Sequence, residues 1–498
     1  MRAADYLPTA FNAAEFFVGR NVAEGRGDAL AIVGDERTLT YGQLDRAVRG
    51  FASALLARGL HAGDRVVLIL ADGPAWSIGF WGTLAAGCVA VPLNPGLRAE
   101  EHAEIIGDCG AQLILNDPET ILRDAEQPAG AYATTHRDGF AFFLYSSGTT
   151  GEPKGVVHLH HDMWICARTY GEKLLRTAPS DRTFSVAKLF FAYGLGNAQY
   201  FPMDVGASSV LFGGRPTPEA VFEQVARHKP TLFFAVPTAY AQMLAAIEDG
   251  AKPDFSSVRM CVSAGEALPA SIFNRWLAHT GLEICDGIGS TEITHIFLSN
   301  TPGGCVPGSS GKPVPGYDVR IVDEDGTELG TDEIGELIVR GDSTMALYWN
   351  KHERTKSTLV GDWIRTGDKY RRDADGVFWH AGRSDDMLKV SGMWVSPVEV
   401  ESALTAHEAV LECAVIGRQD RDGLTKPHAY VVLRSPSEAR ASLESELQAF
   451  VKEQLAPHKY PRWVTVVDAL PKTATGKTQR FVLRGRSLDS EPTALRSG

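Results

Sequence analysis

The sequence predicts an α/β protein with a large N-terminal α/β domain, a β-rich subdomain at its end, and a small C-terminal α+β domain. Three observations predict it. Apolar strand-like runs alternate with helical periodicity over most of the first 300 residues. Past about residue 310 the pattern changes to short alternating strands divided by Gly/Asp turns. Beyond Gly382 a shorter mixture of strands and helix closes the chain. The 498 residues, 44% hydrophobic and 22% charged, have the composition of a globular protein. At roughly 100–200 residues per domain they suit two to four domain-sized units.

Residues 65–70, 142–145, 232–236 and 258–263 are short apolar runs bounded by turn signals, as buried strands require. A helix over 238–248 is expected after Pro237. Strands are predicted at 318–323, 336–340 and 377–381, separated by turns such as Asp325-Gly326 and Asp375-Gly376. In the last unit, strands are expected at 412–416 and 429–433, a helix at 443–455 and a strand at 463–467. The polar segment Gly382-Arg383-Ser384-Asp385-Asp386 marks the boundary, giving domains 1–383 and 387–498 about a 384–386 junction. The tail from Ser487 onward is polar.

The formal net charge of -12 argues against nucleic acid and anionic membranes as partners. A site for an anionic substrate must therefore be locally basic. Seven cysteines, irregularly spaced and without a C-x-x-C, point to reduced structural thiols rather than a zinc site or disulfide framework. No signal peptide is indicated, and the apolar runs, such as 66–71, are too short to span a bilayer. A cytoplasmic location is expected.

The sharpest local signal is Tyr145-Ser146-Ser147-Gly148-Thr149-Thr150-Gly151-Glu152-Pro153-Lys154-Gly155. Glycines let a backbone turn tightly and aim its N–H groups inward, hydroxyls add donors, and Lys154 adds a point charge. That chemistry holds a polyphosphate. A helix pattern is expected to follow, lending its N-terminal dipole. The loop is not a Walker A motif, because Pro153 precedes Lys154 and Gly155 follows it.

This segment resembles the phosphate-binding signature of the adenylate-forming superfamily of acyl-CoA ligases, adenylation domains and luciferases. The resemblance covers nearly the whole chain, because further motifs follow in the family order. It implies that Ser146, Ser147, Gly148, Thr149, Thr150, Gly151 and Lys154 hold the ATP phosphates. In Asp286-Gly287-Ile288-Gly289-Ser290-Thr291-Glu292 it implies Thr291 for the phosphate and Glu292 for Mg2+, which prefers few protein oxygens and shares phosphate oxygens. Asp286, Gly287 and Ile288 fall to the nucleotide; the commonest family form has an aromatic residue where Ile288 stands. Ser263-Ala264-Gly265-Glu266-Ala267-Leu268 resembles the segment lining adenine, with Gly265 and Glu266 as nucleotide residues. Asp368, in Thr366-Gly367-Asp368, has the form of a carboxylate on a tight turn and is implied to accept the ribose hydroxyls, with Arg383 nearby.

By the same resemblance Asp385 is a hinge that makes the C-terminal domain mobile. Lys477, ending Pro471-Lys472-Thr473-Ala474-Thr475-Gly476-Lys477, is the lysine that catalyses adenylation. Lys389 and Gly392 belong to the face that meets coenzyme A. His158, His160, His161 and Asp162 imitate a metal cluster, but family chains often carry histidine here, and no separated second ligand set exists, so a metal role is not assigned. The run Ala187-Lys188-Leu189-Phe190-Phe191-Ala192-Tyr193-Gly194-Leu195-Gly196-Asn197 is nearly all apolar, and with 287–297 it is similar to benzoate–CoA ligases. A flat pocket of Phe191, Ala192, Tyr193, Gly289, Ile293 and His295 is implied. The expected reaction joins an aryl carboxylate to ATP as an acyl-adenylate, then to coenzyme A. The rival readings are an enzyme that loads a carrier-protein thiol, and a non-catalytic nucleotide-binding regulator. Monomer and homodimer both stay open.

Overall fold

The computed structural model describes residues 1–35, 37–147, 153–383, 386–390, 393–421, 424–435, 439–440, 442–456, 458–472 and 478–485. Gly148, Thr149, Thr150, Gly151, Asp385, Gly392, Lys477 and the polar tail lie outside them.

Two large sheets form the N-terminal domain. The first has nine strands, with Ile284–Gly289, Met260–Ser263, Leu232–Ala235, Arg182–Ser185, Ser208–Leu211 and Leu30–Gly34 running parallel across its centre. Its margins are antiparallel: Ile296–Ser299 and Lys312–Pro313 at one side, Thr38–Thr40 at the other. The second has six strands, in which Leu113–Leu115, Arg65–Ile69, Val89–Leu93 and Phe140–Ser147 are parallel. Such strands are covered on both faces, which is why they are apolar throughout rather than alternating. Val66, Val67 and Leu68, for example, are all buried.

The helix Pro74–Ala85 packs between the sheets, touching Arg65–Ile69 and Val89–Leu93 on one side and Leu30–Gly34 on the other. A helix enclosed this way must be apolar all round, and Trp76, Ile78, Phe80, Trp81 and Leu84 are buried. Two of its polar side chains are matched inside the core: Trp81 Nε1 donates to Gln199 Oε1 at 2.9 Å, and Gln199 Nε2 donates to Ser77 Oγ at 3.0 Å. Proline at its first turn costs no hydrogen bond. The helix Tyr41–Ala57 beside it starts with a capping box of Thr40 and Gln43. Among the described residues, no helix is long and apolar enough to cross a membrane.

The β-rich subdomain is an antiparallel sheet of Asp318–Val322, Gly335–Arg340, Trp363–Arg372, Leu359–Val360 and Phe378–Arg383. The C-terminal unit has its own core between a three-stranded sheet (Val410–Gln419, Thr425–Leu433, Trp463–Val466) and the helices Pro397–Thr405 and Leu443–Gln454.

Two expectations need correction. No helix follows the phosphate loop directly: Pro153–Leu159 is a strand antiparallel to Phe140–Ser147, and the short helix Asp162–Cys166 comes later. Val156 and Val157 are fully buried and complete the sheet, so burial and β-branching override the helical pattern. Nor does Thr366-Gly367-Asp368 form a turn. It is a bulge within the strand Trp363–Arg372.

Candidate active site

The ends of the phosphate hairpin are held in register, with Ser146 opposite Lys154 and Ser147 opposite Pro153. Lys154 lies on the second strand, and its Nζ is 5.8 Å from the centroid of the Tyr348 ring. The Thr291–Ile293 turn follows the strand Ile284–Gly289, and Glu292 Oε1 accepts a 2.6 Å hydrogen bond from the Tyr348 hydroxyl. Burial, and then the Glu292 carboxylate, push that phenol well above its ordinary range, so it stays a donor at working pH. With Thr291 beside Glu292 in the turn, Lys154 and Glu292 thus meet at a tyrosine the sequence did not single out. Its only local signal was an aromatic pair, Tyr348-Trp349, ahead of a charged stretch.

The histidines beyond the loop are structural bolts. His158 is fully buried, with Nδ1 2.7 Å from Asp162 Oδ2 and Nε2 2.8 Å from the Thr291 carbonyl. The ring thus ties the hairpin to the Thr291 turn. His160 accepts from the Ala13 N–H at 3.2 Å, and burial pushes it down to about 3. His161 lies within hydrogen-bond reach of the Arg137 and Asp342 carbonyls.

On the ribose side, Asp368 pairs across the sheet with Arg383, and Arg383 Nη1 donates to Asp368 Oδ1 at 3.2 Å. The bulge that presents Asp368 arises because Arg365 pairs with Ile338 and Lys369 with Glu336, so Thr366, Gly367 and Asp368 face Leu337 alone. Gly367 sits at φ +75°, in the left-handed region that glycine tolerates. A Cβ there would also stand 3.1 Å from Arg383 Nη2. Thr366 locks the bulge by donating to the Leu337 carbonyl at 2.9 Å and accepting from the Asp368 N–H at 3.1 Å.

Residues 263–268 leave the strand Met260–Ser263 at its C-terminal end. Gly265 is exposed, and Glu266 accepts from the Thr238 hydroxyl at 3.2 Å. Asp286 is buried, and desolvation raises its carboxyl to about 8. It pairs with Ser263 across the sheet, two residues before Gly265. Ile288 is half-buried and packs on the main core.

The acyl side is aromatic and closed. His295 is buried among Tyr170, Tyr193 and Phe201, with ring centroids at 5.2, 5.6 and 4.6 Å. Asn197 Oδ1 accepts from His295 Nε2 at 3.1 Å, which fixes the neutral tautomer with Nδ1 unprotonated. Desolvation lowers this histidine to about 3, so it stays neutral. The Tyr193 hydroxyl donates to the Val262 carbonyl at 3.2 Å. Two glycines make the close approach possible: a Cβ on Gly196 would lie 2.5 Å from the His295 ring, and one on Gly289 would lie 2.6 Å from the His295 carbonyl oxygen. Phe191 and Ala192 are half-buried at the start of this segment. Ile293 is wholly enclosed in the main core, so it backs the pocket rather than facing it. Tyr170 and Phe201 join the enclosure without a motif to announce them.

In the C-terminal unit, a bridge between Lys472 and Thr478 closes the base of the segment that leads to and from Lys477. Arg480 then pairs with Glu401 at 2.7 Å and with Asp386 at 3.5 Å. Lys389 lies in the strand Leu388–Val390, paired with Trp394.

Comparison with known proteins agrees with this geometry. Residues 19–349 match the AMP-binding enzyme family, and residues 399–477 match the AMP-binding enzyme C-terminal domain. The chain is 46% identical to a benzoate–CoA ligase of Thauera aromatica over 96% of each chain. It is 44% identical to a 4-hydroxybenzoate–CoA/benzoate–CoA ligase of Rhodopseudomonas palustris, over 96% of this chain and 94% of that one. The crystal structure of an anthranilate CoA ligase, AuaEII, in complex with anthranoyl-AMP superposes with a TM-score of 0.93 at 41% identity, covering 97% of this chain and 98% of that one. The chain therefore belongs to the AMP-binding, adenylate-forming enzyme family, in which it is an AMP-forming acid–thiol ligase of the benzoate–CoA ligase type.

Proposed function

We propose that the enzyme converts benzoate, or a close benzoate analogue, to its coenzyme A thioester with ATP, releasing AMP and pyrophosphate. The observation that carries this reading is the closed aromatic enclosure of Tyr193 and neutral His295, built next to the Thr291-Glu292 turn. Its rings suit a flat aryl group. Apolar walls discriminate one methylene by only about 1–3 kcal/mol, so neighbouring acids should react more slowly rather than be refused.

In the first step a carboxylate oxygen attacks the α-phosphorus and pyrophosphate leaves. Two anions must approach each other, so fixed positive charge is needed. Lys154 and the loop donors Ser146, Ser147, Gly148, Thr149, Thr150 and Gly151 hold the phosphates. Asp368, oriented by Arg383, accepts the ribose hydroxyls. Gly265, Glu266, Asp286, Gly287 and Ile288 frame the adenine side. Lys477 neutralises charge that builds between carboxylate and phosphate. Thr291 meets the phosphates, and Glu292 offers a hard oxygen that fits Mg2+, its other oxygen already committed to Tyr348. When bound, that ion supplies Lewis-acid neutralisation of phosphate charge.

In the second step the coenzyme A thiol attacks the adenylate carbonyl and AMP leaves. The C-terminal domain, residues 387–498, turns against residues 1–383 about Asp385. It withdraws Lys477 and presents Lys389 and Gly392 to the pantetheine. A reducing cytoplasm suits the seven free cysteines.

The test is thioester formation with ATP, Mg2+, coenzyme A and a panel of benzoic, hydroxybenzoic, aminobenzoic and short aliphatic acids. Benzoate or a ring-substituted benzoate should give the highest kcat/KM. A preference for an aliphatic acid, or adenylate release without thioester, would overturn the assignment.

A further inference from the structure

We propose that Tyr348 is a positioning residue that sets Lys154 and Glu292 in register at the phosphate site, and that its hydroxyl fixes how Glu292 meets a divalent cation. The inference rests on the adenylation reading above and goes one step past it. Three independent contacts converge on this residue. Its hydroxyl donates to Glu292 Oε1 at 2.6 Å. Its ring lies 5.8 Å below Lys154 Nζ, within cation–π range. Its backbone pairs with Val156, two residues beyond Lys154 on the same strand.

The flanking residues make this a joint rather than a passing contact. Met345 N–H donates to the Glu292 carbonyl at 2.7 Å, Ala346 N–H to Val157 at 2.9 Å and Trp349 N–H to Gly155 at 2.7 Å. Residues 345–349 therefore bond in turn to the Thr291–Ile293 turn and to the strand that carries Lys154. A carboxylate that would otherwise choose among several rotamers has one oxygen occupied by a buried phenol, which leaves the other for the ion. A phenol is suited to this: it is rigid and it donates one proton.

Tyr348→Phe keeps the ring beneath Lys154 and deletes only the hydroxyl. The expected result is a roughly tenfold weaker apparent affinity for Mg2+ at fixed ATP, and a similar fall in MgATP affinity measured by calorimetry without acid. The KM for the acid and the rate of thioester formation from supplied acyl-adenylate should stay within about twofold, which a general packing role would not allow. Placing 4-aminophenylalanine at 348 restores a para donor and should recover wild-type Mg2+ dependence; it also carries the test if Tyr348→Phe does not fold. Unchanged Mg2+ and MgATP affinity in Tyr348→Phe, or an aminophenylalanine variant without wild-type Mg2+ dependence, overturns the proposal. Failure of the wild type to exchange pyrophosphate with any aryl acid would instead overturn the adenylation reading beneath it.

Discussion

The nucleotide side and the acyl side of the site are built by opposite means. On the nucleotide side, polar side chains bind one another: Tyr348 to Glu292, Arg383 to Asp368, His158 to both Asp162 and the Thr291 carbonyl. On the acyl side, aromatic rings close around one neutral histidine, and glycines make room. The first arrangement handles charge, which demands particular functional groups in a particular order. The second handles shape, which many residue combinations can supply. Substitutions on the nucleotide side should therefore cost rate or cosubstrate affinity, and those on the acyl side should shift acid preference or stability.

The largest effect is expected at Lys477. Lys477→Ala should slow adenylation by roughly 10²–10³-fold, the loss typical of removing a preorganised charge-stabilising group. Thioester formation from supplied acyl-adenylate should be spared, and equal loss in both half-reactions would refute a two-state C-terminal domain. Next comes Asp368→Ala, which removes the ribose acceptor and strands Arg383. A lost charged hydrogen bond of about 1.5–3 kcal/mol corresponds to an ATP KM raised roughly 10- to 100-fold, with the acid KM unchanged. A matching rise in the acid KM would erase the division between the two sides.

Gly196→Ala tests the acyl side. A Cβ 2.5 Å from the His295 ring must displace it, at a cost of about 1–3 kcal/mol in stability. Thermal melting reads the stability, and the acid panel should shift while ATP affinity holds. Tyr193→Phe, which loses one hydrogen bond to Val262 worth about 1 kcal/mol, should alter the ranking of ring-substituted acids. An unchanged ranking would remove Tyr193 from the pocket.

The last prediction concerns pH dependence and leaves catalysis untouched. His160, His295 and His428 are held near 3 by burial, below their ordinary 6.5. Between those values the unfolded chain binds protons that the native state refuses. Their contribution to stability is thus full above pH 6.5 and is lost as pH falls towards 3, by about 1.4 kcal/mol per pH unit for each group. Urea titrations across pH 4–7 should show this slope, and His428→Phe should reduce it by about a third without touching acid preference.

The same contrast explains what the sequence made legible. Lys154, Glu292, Asp368 and Arg383 were legible as candidates because charge chemistry requires those residue types; the folded chain sets Lys154 and Glu292 both against Tyr348 and pairs Arg383 with Asp368. Tyr348 was not found, since a tyrosine that supports a carboxylate looks like any core aromatic. Asn197 stood in the quoted acyl segment, but its tautomer-fixing bond to His295 spans 98 residues and has no local trace. The helix expected after the phosphate loop failed for a related reason. Pairing with Phe140–Ser147 is a tertiary fact, and it overrides local periodicity.

The bulge at Asp368 has a consequence for how the chain tolerates change. Between its two anchoring pairs the partner strand advances two residues, from Glu336 to Ile338, while this strand advances four, from Arg365 to Lys369. Both steps are even, so inward and outward positions keep their parity across the irregularity. Ile364, Asp368 and Tyr370 all remain on the buried face. Removing or adding two residues here would change how far the carboxylate projects and leave the rest of the strand in phase. Removing one would turn Tyr370 out of the core and Lys369 into it.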